Sequence, residues 1–389
     1  MNLTDRINPI VRNIPPSGIR KFFDIVTEMK DAISLGVGEP DFVTPWRVRE
    51  AGIYSLEKGH THYTSNWGLA ELREEISRYT YRKYNLLYDP KDEIIVTVGG
   101  SEGIDIALRA LAGPGDEVLV QQPCFVSYKP CVEFCGATPI IVETKEENQF
   151  KLTAQGIEEM ITPRTKLLIM SFPNNPTGAT MTKEELEPIA EIIKKHDLLV
   201  ISDEIYSELT YGLRHTSIAS LPDMRDRTIV INGFSKAFAM TGWRMGYTCA
   251  HRDITGAMFK VHQYAIMCSP TTSQHAAIEA LKSCDDEVEM MNREYDRRRR
   301  LIVDGLRKAG LKCFEPQGAF YAFPSIKETG FNSNDFCEKL LMEERLAVVP
   351  GNAFGESGEG FVRMSYAYSI DTINSALERI NHFMSGLGK

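Results

Sequence analysis

The fold of this chain is indicated most clearly by residues 166–203, which read KLLIMSFPNNPTGATMTKEELEPIAEIIKKHDLLVISD. An apolar run over Lys166–Ser171 is followed by a proline-containing turn, an amphipathic stretch over Lys183–His196 and a second apolar run over Leu198–Ser202. Short, near-continuous apolar runs on either side of a helical pattern are typical of parallel strands that are buried on both faces. The segment therefore predicts a strand–helix–strand unit.

The same alternation of strand and helix patterns continues outward over about Pro45 to Leu281. Strands that alternate with helices favour a parallel sheet covered on both faces. We therefore predict an α/β fold whose large domain, residues 45–281, has a mostly parallel seven-stranded sheet surrounded by helices. The further elements of this domain are a helix at Glu102–Leu111 and strands at Ile94–Val98, Val118–Gln121, Pro139–Val142, Thr228–Asn232 and Gly246–Ala250.

The character of the sequence changes beyond Cys284, where strand patterns lie between helical patterns without regular alternation. This arrangement predicts a smaller α+β domain over residues 282–389. Residues 1–44 contain no self-sufficient fold, and we expect them to pack with this small domain. The strand patterns of the small domain are Ala319–Phe323, Ala347–Val349 and Phe361–Ser365.

Composition and charge exclude several classes of protein. The 389 residues are 43% hydrophobic and 25% charged, and 44 Lys and Arg against 53 Asp and Glu give a net charge of −9. This composition excludes a disordered chain, and the charge disfavours nucleic acid or an anionic membrane surface as a partner. The basic run Asp296–Arg300 follows acidic residues on one helical pattern, which favours a solvated, ion-paired face over a phosphate-binding patch.

The lengths of the apolar runs and the spacing of the cysteines indicate the cellular compartment of the protein. The apolar runs are far shorter than the ~20 residues that span a bilayer, and Met1–Arg6 lacks the layout of a signal peptide. We therefore expect a soluble, cytoplasmic protein without membrane contact. The eight cysteines form no CxxC pair and the eight histidines form no HExxH motif, so we expect free structural thiols and no metal site.

Polar residues with possible chemical roles follow several predicted strands, at the edge where an α/β sheet binds ligands. Gly99-Gly100-Ser101 leads from a strand into a helix, which is either an anion-binding cup or a plain turn and cap. Two prolines fix the backbone around Asn175, either to present its amide or only to make a rigid turn. Asp203 ends a buried strand and needs a cation, either in a ligand or in a structural ion pair.

The strand that ends at Asn232 is followed by GFSKAFAMTGWRMGY, residues 233–247. Lys236 lies among apolar residues, and a desolvated lysine becomes a nucleophilic amine that can form a Schiff base. Arg244 supplies a permanent cation suited to a phosphate dianion. A single lysine in such a position would more often be a surface residue. An anion cup, a fixed amide, a buried acid, this lysine and this arginine together match the needs of pyridoxal 5′-phosphate.

Several further segments occur in order along the chain: ISLGVGEPDF at 33–42, NNPTG at 174–178, SDEIY at 202–206, SK with MTGWR at 235–244, and FVRMSYA at 361–367. With these segments the chain resembles, over essentially its whole length, the fold-type I, class I/II pyridoxal-phosphate-dependent aminotransferases. The probability that all of these segments match in this order by chance is negligible.

The resemblance implies pyridoxal 5′-phosphate as the cofactor and assigns roles around its ring. Lys236 is implied to be the Schiff-base lysine and proton shuttle, and Asp203 to be the partner of the pyridine nitrogen. Tyr206 and Asn175 resemble the donors to the ring phenolate oxygen. Phe125 resembles the aromatic residue that stacks on the ring, although it could instead be a packing residue.

The resemblance also implies how the cofactor phosphate is held. Tyr63 resembles the tyrosine that reaches the phosphate of the neighbouring subunit, which implies a homodimer with shared active sites, although Tyr63 could also be a packing residue. Some relatives have a serine where this chain has Gly233. The residues that resemble the phosphate ligands of the same subunit are Gly100, Ser101, Ser235 and Arg244.

Arg363 resembles the bidentate clamp on the substrate α-carboxylate, helped by Asn175 and the backbone at Gly38. A planar guanidinium suits that task better than an ammonium group. Many aspartate-preferring relatives have lysine where this chain has Ser101, so the resemblance identifies no residue that binds a distal carboxylate.

The implied activity is a ping-pong transamination between an L-amino acid and a 2-oxo acid such as 2-oxoglutarate. Through Ser17–Phe22, Tyr206–Tyr211 and Gly318–Tyr321 the chain is most similar to the aromatic, aspartate and N-acetyl-diaminopimelate aminotransferases. We therefore expect an aromatic, acidic or acylated diamino acid as amino donor.

Two alternative functions use the same fold. A β-lyase dependent on the same cofactor is one, and the Thr241–Arg244 segment favours transamination over it. A non-catalytic binding protein is the other, and the presence of Lys236, Asp203 and Arg363 argues against it.

Overall fold

The structure, a computed structural model, describes residues 3–16, 29 and 31–387. The segment Ser17–Phe22, which contributed to the resemblance, lies outside the described residues. The strands are β1 (Ile33–Ser34), β2 (Ile94–Thr97), β3 (Glu117–Gln122), β4 (Thr138–Glu143), β5 (Thr165–Ser171), β6 (Leu199–Asp203), β7 (Thr228–Gly233), β8 (Gly246–Cys249), β9 (Tyr321–Ala322), β10 (Leu346–Ala347), β11 (Val349–Pro350) and β12 (Val362–Ser365). The α-helices are α1 (Pro9–Asn13), α2 (Trp46–Glu57), α3 (Ala70–Tyr84), α4 (Gly100–Leu111), α5 (Tyr128–Phe134), α6 (Ala154–Glu158), α7 (Lys183–Lys195), α8 (Arg252–Ala265), α9 (Thr271–Ser283), α10 (Asp285–Lys308), α11 (Ser333–Glu344) and α12 (Ile370–Leu387).

A seven-stranded sheet forms the centre of the larger part of the molecule, with strand order β2-β8-β7-β6-β5-β3-β4. Strands β4, β3, β5, β6 and β7 are parallel neighbours, whereas β8 is antiparallel to both β7 and β2. Every residue of β2, β3, β7 and β8 is buried, which explains why these apolar runs are continuous rather than alternating. The predicted α/β fold with a mostly parallel seven-stranded sheet is confirmed.

The register of this sheet brings the carboxyl ends of its central strands together. Ser171 at the end of β5 pairs with Asp203 at the end of β6, and Gly233 at the end of β7 pairs with Gly246 at the start of β8. Thr97 at the end of β2 pairs with the same Gly246. The loops that follow these strands therefore meet at one edge, as the ligand-binding edge of an α/β sheet requires.

Two predicted element boundaries differ from the observed ones, one at a glycine and one where the chain passes from one sheet to another. Helix α4 begins before the predicted Glu102, because Gly99 with φ of 77° turns the chain directly from strand into helix. The predicted strand Ala347–Val349 is divided: β10 pairs with β1, whereas β11 pairs with β12. The chain changes sheets at Val348, which a single apolar run does not reveal.

The C-terminal part contains a three-stranded sheet in which β12 lies between β11 and β9. Arg363 on β12 pairs with Val349 on β11. Strand β1 pairs in parallel with β10, so Ile33–Ser34 is attached to this part. One hydrophobic cluster contains both Leu281 and Val288, on either side of the predicted boundary. The domain limits 1–44, 45–281 and 282–389 therefore stay a prediction.

Helix α10 carries the basic run in the C-terminal part. The run is ion-paired, but the Arg298 and Arg299 side chains are only 7% and 10% exposed, so the prediction of a solvated face is wrong for these two residues. Arg298 pairs with Asp41 at 2.7 Å, and Arg299 pairs with Glu315 at 2.6 Å. A buried guanidinium needs carboxylate partners of this kind. Asp41 and Glu315 come from outside the helix, and Glu294 and Asp296 pair with the same two arginines from within it.

All eight cysteines are free thiols, and most of them are buried. Burial raises the pKa of Cys124 and of Cys313 to about 12, so these two thiols are protonated and unreactive at neutral pH. None of the described helices is long and apolar enough to cross a membrane.

Candidate active site

A cavity of about 340 Å³ opens at the edge where the central strands of the large sheet end. Every predicted site residue except Tyr63 lines it. The volume falls in the range of small-molecule pockets, so the fold brings distant segments of the chain to one binding place. The lining residues that the sequence predicted are Gly38, Gly100, Ser101, Phe125, Asn175, Asp203, Tyr206, Ser235, Lys236, Arg244 and Arg363.

Lys236 lies in the loop after β7, where its Nζ donates a hydrogen bond of 2.6 Å to the carbonyl oxygen of Gly38. The amine lies 5.9 Å from the ring centre of Tyr206 and 5.8 Å from that of Phe320. Burial lowers the pKa of Lys236 to about 8, and the positive charge of Arg363 acts in the same direction. The amine is therefore far easier to deprotonate than an ordinary lysine, as a nucleophile or base requires.

Asp203, at the end of β6, is only 6% exposed. Its carboxylate accepts a 2.6 Å hydrogen bond from the hydroxyl of Tyr128 and a 3.1 Å hydrogen bond from the backbone N–H of Ile205. Burial raises the pKa of Asp203, and the hydrogen bond from Tyr128 opposes that rise. Among the described residues no cation forms an ion pair with this carboxylate, so it is available to a cation inside the cavity.

The turn from β2 into α4 forms a cup for an anion. Gly99 precedes the first helical residue, and no side chain caps the helix, so backbone N–H groups of its first turn remain free for a ligand. A Cβ atom at Gly99 would lie 2.8 Å from a guanidinium nitrogen of Arg244, which shows how closely that cation approaches the cup. The hydroxyl-bearing residues Ser101 and Ser235 line the same cavity. A phosphate fits this combination of donors.

Arg363 reaches the cavity from β12 and is 3% exposed. Its Nη1 donates to Oδ1 of Asn175 at 3.0 Å, and its Nη2 donates to the carbonyl oxygen of Gly36. The guanidinium carbon lies 4.5 Å from the ring centre of Tyr321. The buried Nε has no hydrogen-bond partner, and no described carboxylate pairs with this arginine. A carboxylate ligand would neutralise this buried guanidinium.

Two tyrosines of the cavity were not predicted as site residues. The Tyr321 hydroxyl lies 2.7 Å from that of Tyr206, and Tyr128 orients Asp203 as described above. Tyr321 lies within the Gly318–Tyr321 segment, and Tyr128 follows Phe125 by three residues. Both tyrosines lie close in sequence to residues that the resemblance assigned to the site, and this closeness could have suggested them as site residues. The contacts that they make depend on the folded chain.

Phe125 and Tyr63 differ in their surroundings. Phe125 lines the cavity and packs edge-to-face against Tyr128, with ring centres 5.8 Å apart. Tyr63 lies outside the cavity and is 82% exposed. Within one subunit the structure therefore does not bring Tyr63 to the other predicted residues.

The donor set fits pyridoxal 5′-phosphate. Asp203 and Arg363 are buried charges without ion-pair partners among the described residues, and such charges are costly unless a ligand of opposite charge is present. A protonated ring nitrogen would neutralise Asp203, and a substrate carboxylate would neutralise Arg363. Lys236 supplies the amine for an aldehyde, and the cup at Gly99 receives a phosphate. The part of the chain that the structure describes holds no cluster of three or more His, Cys, Asp or Glu residues suited to a metal ion.

Comparison with known proteins gives a consistent result. The family model for aminotransferase class I and II matches residues 30–380. A Bacillus subtilis protein named as a candidate aminotransferase, YugH, is 53% identical over 382 residues, which are 98% of this chain and 99% of that protein. Aspartate aminotransferase of Pyrococcus abyssi is 46% identical over 98% of this chain and 97% of its own. The crystal structure of aromatic aminotransferase from Pyrococcus horikoshii OT3 superposes with a TM-score of 0.90 at 45% identity, covering 95% of this chain and 99% of that one.

Proposed function

The chain belongs to the family of class I and II aminotransferases, and we propose from this premise how its residues divide the work and which substrates it takes. It is a pyridoxal-phosphate-dependent aminotransferase. When bound, the cofactor supplies an aldehyde that exchanges amines and an electron-poor ring that stabilises negative charge at the substrate α-carbon. The observation that supports the division of roles is that Lys236 shares one cavity with two unpaired buried charges, Asp203 and Arg363.

Arg363 binds the α-carboxylate of the amino acid. Its guanidinium lines the cavity, and a planar guanidinium offers the paired N–H donors that a carboxylate accepts. Asn175 already accepts from Nη1 with its oxygen, so its amide nitrogen remains available as a donor. The backbone at Gly38 completes the carboxylate site. These contacts orient the α-carbon towards Lys236.

Lys236 moves the proton of the reaction. Its Nζ removes the proton from the substrate α-carbon, acting as a general base. The same Nζ returns a proton later in the amino-group exchange, acting as a general acid. A pKa of about 8 keeps a useful fraction of the amine neutral near neutral pH. The carbonyl of Gly38 and the neighbouring aromatic rings hold the amine in place between steps.

The remaining site residues hold the cofactor. Asp203, oriented by Tyr128, keeps a proton on the ring nitrogen, and Tyr206 with Asn175 donates to the ring phenolate oxygen. Phe125 stacks on the ring. The phosphate is bound by Gly100, Ser101, Ser235 and Arg244.

We propose a homodimer in which Tyr63 reaches the phosphate of the neighbouring subunit. The exposure of Tyr63 is consistent with this arrangement, because a side chain that reaches a neighbouring subunit has to be accessible, and Tyr63 is 82% exposed. Trp46 and Tyr54 on α2 and Tyr264 on α8 are 56%, 56% and 89% exposed. The eight free cysteines suit a reducing compartment, and we place the enzyme in the cytoplasm.

The preferred amino donor is aromatic. The cations that line the described cavity are Lys236, Arg244 and Arg363, and each already has a role, so any distal carboxylate, that of 2-oxoglutarate included, is bound without a dedicated cation of this cavity. The apolar side chains of Val37 and Phe125 also line the cavity. Glutamate and 2-oxoglutarate form the second substrate pair.

A panel of amino donors with 2-oxoglutarate tests this proposal. We expect phenylalanine and tyrosine to give the highest kcat/KM, and aspartate and N-acetyl-diaminopimelate to give lower values. Purified wild-type protein and the exposed-lysine control Lys260→Ala should be yellow, whereas Lys236→Ala should lose activity and the stable cofactor absorbance. Activity confined to small aliphatic donors would contradict the substrate proposal, and an active Lys236→Ala would contradict the role of the lysine.

A further inference from the structure

A buried histidine, His262, connects the proposed phosphate site with the loop that carries Tyr63. His262 lies on α8, and its side chain is fully buried. Its Nδ1 lies 2.5 Å from Oε1 of Glu102, and its Nε2 lies 2.8 Å from the carbonyl oxygen of Asn66. The imidazole therefore contacts a carboxylate on one side and the main chain on the other.

These two contacts define the hydrogen-bonding state of the imidazole. A carbonyl oxygen only accepts hydrogen bonds, so Nε2 of His262 carries a hydrogen and donates it to Asn66. At 2.5 Å, Nδ1 of His262 and Oε1 of Glu102 share a short hydrogen bond. The pair therefore connects α8 directly to the first turn of α4.

On one side the pair reaches the proposed phosphate site. Glu102 lies in the first turn of α4, directly after Gly100 and Ser101. Its other carboxylate oxygen accepts the backbone N–H of Val98, so the side chain spans the turn from β2 into α4. The turn that would bind the phosphate is therefore held at Glu102 by the main chain on one side and by His262 on the other.

On the other side the pair reaches the loop of residues 60–69, which contains Asn66 and the exposed Tyr63. The ring of Trp67 in the same loop stacks on Phe259 of α8, with ring centres 4.0 Å apart. Helix α8 thus holds this loop at two points, through a ring stack and through the buried histidine.

We propose that His262 is a positioning residue that couples cofactor binding in one subunit to the Tyr63 contact with the neighbouring subunit, an inference that rests on the proposed function. A phosphate bound at Gly100 and Ser101 orders the turn that contains Glu102. Glu102 holds His262, which holds the loop that reaches the other subunit. Coupling between two binding events is reciprocal, so the cofactor tightens the dimer by the factor by which dimer formation tightens cofactor binding.

Sedimentation of the full-length protein, with and without saturating pyridoxal 5′-phosphate, measures this coupling as a ratio of two dimer dissociation constants. His262→Gln and Glu102→Gln each remove the short contact between imidazole and carboxyl group, and a glutamine at position 262 can still donate to the Asn66 carbonyl. His382→Gln is the matched control, because His382 makes the same contact with Glu344, at 2.6 Å, on the surface of α12.

We expect the cofactor to tighten the dimers of the wild type and of His382→Gln, and the tightening ratio to fall about tenfold in His262→Gln and in Glu102→Gln. The double variant should lose no more than either single variant, because the two residues act as one unit.

A merely structural pair would lower thermal stability in both variants and leave the tightening ratio unchanged, and this result would overturn the proposal. A wild type that binds the cofactor without any change in dimer affinity would overturn it as well, while leaving the proposed function intact. A wild type without cofactor absorbance would instead overturn the proposed function, and the inference with it.

Discussion

The ε-amino group of Lys236 differs from that of a surface lysine because it lies away from water, with Arg363 and Arg244 nearby. Burial lowers the pKa of this amine from 10.5 to about 8, and both arginines act in the same direction. Protonation of Lys236 in the cavity therefore lowers the stability of the folded, cofactor-free protein, whereas the unfolded chain has no such cost. That cost is fully present below pH 8 and disappears as the pH rises through 10.5.

Replacing Lys236 by methionine should remove this cost while keeping a side chain of similar length. Between pH 8 and 10.5 the unfolded chain binds more protons than the folded chain, so the stability of the wild type rises with pH. We expect the cofactor-free Lys236→Met variant to be more stable than the cofactor-free wild type at pH 7.5, by up to about 3 kcal/mol. Urea unfolding at pH 7.5 and at pH 10 measures the difference.

Lys260→Met, on the exposed face of α8, is the control for the loss of a lysine charge in that comparison. The advantage of Lys236→Met should shrink markedly at pH 10. An advantage of the same size at both pH values would contradict a lowered pKa for Lys236.

At the scale of elements, the phosphate cup depends on how closely β8 approaches the turn between β2 and α4. A Cβ atom at Gly246 would lie 2.5 Å from the carbonyl carbon of Gly99 and 2.7 Å from the amide nitrogen of Gly100. Both contacts are with backbone atoms, which cannot move aside as a flexible side chain can. Glycine at the start of β8 is therefore a condition for the geometry of the cup.

Gly246→Ala should push β8 and the cup apart. We expect a loss of about 1–3 kcal/mol in stability from the overpacking, together with weaker binding of pyridoxal 5′-phosphate. Thermal melting and absorbance titration with the cofactor measure the two effects. Gly242→Ala is the control in the same region, because a Cβ atom there meets no atom within 4 Å; equal losses in both variants would show that the close approach at Gly246 is unimportant.

For the molecule as a whole, two strongly exposed aromatic residues, Tyr63 and Tyr264, lie on the loop of residues 60–69 and on the helix against which this loop packs. The loop packs on α8 and α9, since Phe259 stacks on Trp67 and Thr271 donates to the carbonyl oxygen of His62. Tyr264, which is 89% exposed, lies on α8 near these contacts. In the homodimer proposed above, a second copy of the chain would cover this surface, and Tyr63 would then lie beside the other active site.

Tyr264→Glu should weaken the dimer, because it places a charge on a surface that an interface would bury. We expect a larger monomer fraction in sedimentation and a fall in specific activity that follows the monomer fraction, since each active site would lose the neighbouring Tyr63. Met342→Glu, at a residue 63% exposed on α11, is the control. A fully active, monomeric Tyr264→Glu protein would contradict the shared active site.

Much of this protein could be predicted from local patterns. The continuous apolar runs are the buried strands of one sheet, and the polar residues that follow them lie at one edge because parallel strands end on the same side. For that reason Lys236, Asp203, Asn175 and Arg244 line one cavity. Resemblance added Arg363, which comes from a different sheet and which no local pattern joins to the others.

Which side chains meet across long stretches of the chain depends on the tertiary fold. Tyr128 orients Asp203, Tyr321 contacts Tyr206, and His262 joins Glu102 to the Tyr63 loop, yet no pattern within a segment indicates these pairs. Local sequence patterns specify the sheet, its ligand-binding edge and the kinds of chemical group placed there, because periodicity and turn residues act locally. Packing decided the partners, the buried charges and the lowered pKa of Lys236, because burial is a property of the whole folded chain.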